Sequence, residues 1–200
     1  MPYEYRKLTP DEREKLVQLR KQRGYPLHAP PHPFREAGSY LITAAIFEHA
    51  HVMVSPERRT EFQAMLLEGF RAIRAEIIGW VVLENHYHVL ANVAGLDLVS
   101  SALKQVHGSS SRQWNLQDGL TGRRKVWYYF FDRLMRSETQ LSQTLSYIHH
   151  NLVKHGYVHD AYDWPWSSLF MYSDEHGGQV LRERGQLLVV SGDLDQDWDV

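Results

Sequence analysis

Two apolar runs parted by Glu84-Asn85 do most to limit what this chain can fold into. Residues 77–83 are almost wholly apolar, with Trp80 among them, and residues 86–93 form a second run. A turn pair between two such runs predicts a β-hairpin, so any fold must contain at least one antiparallel strand pair. Ahead of the hairpin, residues 39–48 are β-branched and aromatic and read as a strand. Ser55-Pro56-Glu57 is an N-cap signal, and Phe62, Leu66, Phe70 and Ile73 then recur at helical spacing to about residue 75. After the hairpin, residues 98–114 read as a helix weakened by Gly108-Ser109-Ser110-Ser111, and residues 126–134 as an aromatic strand. Ser137-Glu138-Thr139-Gln140 is a capping box opening a helix that runs to about residue 155 and stops at Gly156. The order strand, helix, hairpin, helix, strand, helix predicts an α+β fold, an antiparallel sheet packed by helices.

With 200 residues, 43% of them apolar, there is material for one domain with a core plus short extensions. Thr9-Pro10-Asp11-Glu12 opens a basic helix reaching about residue 23, and four prolines in 26–34 mark an extended connector. The expected division is therefore 1–38 as basic helix and connector, 39–172 as the main domain, and 173–200 as an acidic tail. The chain has no cysteine, which excludes disulfides and a thiol nucleophile. It also has no long apolar run and no signal-peptide pattern, so a cytoplasmic protein without a membrane partner is expected. The net charge of -2 argues at first against nucleic acid. Its distribution argues otherwise: the tail carries -5, the remainder +3, and residues 104–136 alone +5. A basic body is compatible with DNA, and a tethered anionic segment beside it would compete for the same surface.

His86 and His88 are two apart on a predicted strand and so share a face, an arrangement that suits a divalent ion. In a chain with twelve histidines such a pair also arises by chance. On the last helix Leu141, Leu145, Ile148 and Leu152 form an apolar stripe. Tyr147, His150, Asn151 and Lys154 occupy another face at i, i+3, i+4 and i+7. That face offers a phenol able to attack phosphorus, an amide oxygen able to ligate a metal, and a cation able to hold phosphate. By spacing alone the better reading is a solvated polar face with a half-buried Tyr.

The stretch Trp80-Val81-Val82-Leu83-Glu84-Asn85-His86-Tyr87-His88-Val89-Leu90 resembles the HUH motif of single-tyrosine transposases. Tyr147-Ile148-His149-His150-Asn151-Leu152-Val153-Lys154-His155-Gly156-Tyr157-Val158 resembles the tyrosine helix of the REP-associated tyrosine transposases. Asp163-Trp164-Pro165-Trp166-Ser167-Ser168 and Val126-Trp127 are similar to segments of that group as well. The resemblance covers residues 38–168. Two positions depart from it: Leu152 stands where the group usually has Pro, and Tyr87 is larger than usual between the histidines.

The resemblance implies a ferredoxin- or RRM-like HUH nuclease fold and a metal-dependent enzyme that cuts and joins single-stranded DNA beside a foldback hairpin of a repetitive palindrome. His86, His88 and Asn151 would hold Mg2+ or Mn2+, and Tyr147 would form a 5'-phosphotyrosine link. Lys154, Arg112, Arg123, Arg124, Lys125 and Arg133 are candidates for backbone contact. A monomer or a homodimer is expected. Two other readings remain open: a non-enzymatic RRM-like nucleic-acid-binding module, and a zinc hydrolase with His150 as third ligand.

Overall fold

His86, His88 and Leu90 leave their strand on one side and Tyr87, Val89 and Ala91 on the other, and this alternation sorts the molecule into layers. The computed structural model describes residues 36–120 and 124–172, with Thr9, Asp11, Glu12, Lys15 and Gln18. The order is β1 (Gly38–Ala45), α1 (Pro56–Ala72), β2 (Glu76–Val82), β3 (His86–Val93), α2 (Leu96–Gln117), β4 (Phe131–Leu134) and α3 (Glu138–Lys154). The four strands make one antiparallel sheet in the order β2-β3-β1-β4. This is the α+β architecture the element order predicts. The connector 26–34, the rest of the first helix and the acidic tail lie outside the described residues.

On one face α1 and α2 bury Phe62, Leu66 and Phe70 with Leu103, Val106 and Trp114 against Tyr87, Val89 and Ala91. Phe62 stacks on Trp127 with ring centroids 4.9 Å apart, and Tyr87 fills the space beside both. Tyr87 therefore belongs to this layer and leaves the opposite face to the histidines. On that opposite face α3 seats Ile148 and Leu152 on Leu41, Val81, Leu83 and Leu90. Leu152 is fully buried and α3 runs unbroken through it, as its substitution for Pro allows. Gly79 lets α3 approach β2: a Cβ there would meet Leu145 Cδ1 at 2.4 Å.

Helix starts follow the predicted caps. Ser55 accepts from Arg58 N–H at 3.2 Å and Ser137 from Gln140 N–H at 3.1 Å. Thr9 and Glu12 bond reciprocally, as a capping box does. Gly156 has φ 71°, where glycine is the default residue after a helix.

Two expectations shift. The helix across Gly108-Ser109-Ser110-Ser111 is longer and continuous, because Ser110 is a buried anchor. Its hydroxyl donates to the Val106 carbonyl at 2.8 Å and accepts from Trp127 Nε1 at 3.0 Å. The strand expected over 126–134 is regular only at Phe131–Leu134, with an isolated bridge from Trp127 to Ile46.

The Trp164–Ser168 segment lies along the free edge of β2. Val82 N–H donates to the Trp166 carbonyl at 2.8 Å, and Trp164 Nε1 to the Val82 carbonyl at 3.0 Å. Arg59 sits over both indoles, 4.1 Å from Trp166 and 4.9 Å from Trp164. An edge that would otherwise offer open hydrogen-bonding groups is thereby covered.

His107 is half-buried on α2, stacked on Trp127 at 4.5 Å and bonded through Nε2 to the Tyr87 hydroxyl at 2.9 Å. Burial pushes it down to about 3. The folded chain thus refuses a proton that the unfolded chain accepts near pH 6.5. Stability is fully present above that pH and is lost as pH falls toward 3, by about 1.4 kcal/mol per pH unit from this residue. Urea midpoints measured between pH 7 and pH 4.5 should fall, with a shallower decline in His107→Gln. An equal slope in the two proteins would remove His107 as the cause.

Candidate metal and nucleophile site

The register of β1 against β3 sets Thr43 opposite His88 and Ala45 opposite His86. Thr43 Oγ1 lies 2.7 Å from His88 Nδ1, and Asn85 Oδ1 lies 2.7 Å from His86 Nδ1. The amide oxygen of Asn85 only accepts, so His86 carries its proton on Nδ1. For His88, a Thr43 hydroxyl that accepts gives the same tautomer. Both rings then present the Nε2 lone pair. A partner that fixes one ring nitrogen and frees the other is the usual support for a metal-ligating histidine. The two rings stand 5.1 Å apart. Burial first, then the imidazoles of His88, His155 and His49, hold His86 well below the usual histidine range. It therefore stays neutral, the form that binds metal.

α3 lies across this pair. Asn151 is fully buried, and its Nδ2 is 3.1 Å from His88 Nε2. Its Oδ1 is buried with no hydrogen-bond partner among the described residues. A half-turn of the amide exchanges the two atoms and puts the orphaned oxygen beside His88 Nε2. Two imidazole nitrogens and a carbonyl-type oxygen are a donor set suited to a divalent cation, and the buried oxygen lacks any other use here. The residues therefore fit such an ion. Tyr147, one turn earlier and half-buried, has its ring 5.7 Å from that of His88. Lys154 is exposed, with Nζ 6.0 Å from the Tyr147 ring. The helix and the strand pair thus bring Tyr147, Asn151, His86 and His88 to one place.

His150 is not brought in. It is exposed, and its Nδ1 bonds the Ser146 carbonyl at 2.9 Å, one turn back on its own helix. Among the described residues no three His, Asp or Glu side chains are arranged to hold a metal. The basic candidates scatter. Arg112 is exposed on α2, in the layer beyond the sheet from His88. Arg124 is tied to Asn115 at 2.9 Å and to Asp118 at 2.8 Å. Arg133 pairs with Leu41 on β4 and so falls on the His88 face, and Lys125 is exposed beside Phe47. Arg123 lies outside the described residues.

A cleft of about 130 Å³ opens at the histidine pair, lined also by Thr43, Ala45, His49, His155 and Tyr157. Sequence reading misses these five. Thr43 and Ala45 belong to the site only through strand pairing. His49 ends a 3-10 turn with φ 52°, and His155 caps α3 with its ring 6.0 Å from His86. The only local signal for His155 is its place one turn after Asn151.

No family model matches the chain. A curated Haemophilus influenzae protein named "Putative REP-associated tyrosine transposase" is 25% identical over 175 residues, covering 77% of this chain and 96% of that protein. An Escherichia coli K12 protein named "REP-associated tyrosine transposase" is 32% identical over 95 residues, 46% of this chain and 53% of that one. Among solved structures, a REP-associated tyrosine transposase bound to a REP hairpin superposes with a TM-score of 0.59 at 21% identity. That match covers 75% of this chain and 88% of the other, and it shows a shared fold.

Proposed function

We infer that this chain, whose curated relatives and structural neighbour support the REP-associated tyrosine transposase family, is a transposase-type enzyme. Its reaction is the cutting and rejoining of single-stranded DNA beside a foldback hairpin, through Tyr147. The observation that carries this reading is the meeting of α3 with β3. Tyr147 and the Asn151 amide both face His88, whose Nδ1 is held by Thr43 and whose Nε2 meets Asn151 Nδ2, and a half-turn of that amide sets its orphaned oxygen there instead. A solvated polar helix face gives no reason for a buried amide that meets a buried imidazole and leaves its own oxygen without a partner among the described residues.

His86, His88 and Asn151 would hold Mg2+ or Mn2+. When bound, that ion supplies Lewis-acid polarisation of a phosphoryl oxygen. The phenol oxygen of Tyr147 forms a bond to phosphorus as the bond from phosphorus to the 3'-oxygen breaks. The phenol gives up one proton and the departing 3'-oxygen takes one up, so the step is balanced without a nucleoside triphosphate. The 5'-phosphotyrosine keeps the bond energy, and a later 3'-hydroxyl can reverse the step and join strands. Lys154, exposed with its Nζ 6.0 Å from the Tyr147 ring, would contact a backbone phosphate. The zinc-hydrolase reading loses ground because His150 is turned to the Ser146 carbonyl.

The test is a labelled hairpin oligonucleotide with a single-stranded flank, incubated with Mn2+ and the full chain. The expected product is a covalent protein–DNA adduct whose tryptic mass maps to Tyr147. An adduct on another residue, or cleavage with no adduct, sinks the mechanism. A second expected outcome concerns Thr43→Val. Valine keeps the packing and removes the hydroxyl that orients His88, so Mn2+ affinity should drop about 10- to 100-fold. Calorimetry decides it, and unchanged affinity would make the Thr43 contact incidental.

A further inference from the structure

The aromatic run from Trp127 to Phe131 divides in the structure. Trp127 and Phe130 are buried in the layer under α1 and α2, while Tyr129 is 89% exposed. Strict alternation would send residues 127 and 130 to opposite faces. Trp127 bridges to Ile46 and Phe131 pairs with Thr43. Three residues, Tyr128, Tyr129 and Phe130, therefore span the two residues Ala44 and Ala45. One residue is extra, which makes a β-bulge at Tyr128 and Tyr129. Tyr128 N–H donates to the Ala45 carbonyl at 2.9 Å, so both tyrosines fall opposite Ala45, the residue that pairs with His86. Bulges of this kind re-aim side chains beside functional sites.

What they are aimed at is continuous with the cleft. The Tyr128 ring lies 5.1 Å from Phe47 and 6.3 Å from His49, which lines the cleft. Lys125 Nζ sits 4.9 Å from the Phe47 ring and 5.2 Å from that of Tyr128. One exposed tyrosine requires no explanation. Two tyrosines set by a bulge, with Phe47 and the Lys125 ammonium beside them, form a recognisable surface at the mouth of the cleft. Resting on the single-strand reading above, we propose that Tyr128, Tyr129 and Lys125 form a stacking subsite for a base of the single strand flanking the scissile phosphate. The rings accept any base by its π-face, and the ammonium meets the adjoining backbone phosphate.

The experiment uses oligothymidylate carrying one 2-aminopurine, moved along the strand and titrated into full-length Tyr147→Phe protein without metal. Binding is then read apart from cleavage. At one strand position the fluorescence should be quenched by stacking. Tyr129→Ala should abolish that quench and weaken binding about tenfold, while Tyr129→Phe keeps both. Lys125→Gln should lower the salt slope of binding by about one. A quench that survives Tyr129→Ala, or no quench at any strand position, overturns the subsite. Failure of the cleavage reading shows separately, as a wild-type chain that binds and quenches but forms no Tyr147 adduct.

Discussion

Tyr147→Phe is expected to yield a folded protein of undiminished Mn2+ affinity that forms no covalent bond to DNA. The substitution removes one oxygen from a half-buried ring packed beside the α3 layer and leaves the ring's apolar contacts in place. His86, His88 and Asn151 stay where they are, so ion binding should not change. Strand cleavage should fall by at least about 10⁴-fold, the scale on which loss of a nucleophile is felt. A denaturing gel with a labelled hairpin oligonucleotide gives the rate, and calorimetry with Mn2+ gives the affinity. Cleavage that persists in the Phe protein would remove Tyr147 as nucleophile. Loss of Mn2+ affinity along with cleavage would instead tie the phenol to the ion site.

His88→Ala is expected to be nearly as severe, by a different route. His88 is 2% exposed and joins Thr43 on one side to Asn151 on the other. Truncation removes a ligand nitrogen and also strands a buried hydroxyl and a buried amide. Mn2+ affinity should fall by at least about 100-fold, beyond the loss seen when only an outer partner is removed. The stranded groups should also lower the unfolding free energy by about 1–3 kcal/mol. Urea denaturation separates the two effects, because affinity is measured on the fraction shown folded by circular dichroism. His86→Ala should lose affinity with a smaller stability penalty, since His86 is only half-buried. Asn151→Ala should be milder in affinity, because water can replace one neutral oxygen. Unchanged Mn2+ affinity in both histidine variants would make the pair structural.

Much of this was legible in short stretches of sequence. The hairpin follows from two apolar runs around Glu84-Asn85, and the placing of His86 with His88 from the two-residue period of a strand. Tyr147 and Asn151 share a face because a helix repeats at i and i+4, and the stripe through Ile148 and Leu152 tells which other face is buried. Caps at Ser55, Ser137 and Gly156 are local chemistry and lie where the residues indicate.

The rest depended on partners distant in the chain. Thr43 orients His88 only because β1 pairs with β3 in one register, a choice between segments 45 residues apart. Ser110 keeps its helix intact because a buried Trp127 donates to it. The run 126–134 has strand composition, yet the demand that both Trp127 and Phe130 enter the core inserts a bulge that leaves Tyr128 half-buried on Phe47 and turns Tyr129 outward. Periodicity is set by backbone geometry within a few residues, so sequence alone determined which side chains share a face. Which faces meet, and which polar atoms then need partners, is set by burying those faces together, and only the tertiary structure decided that.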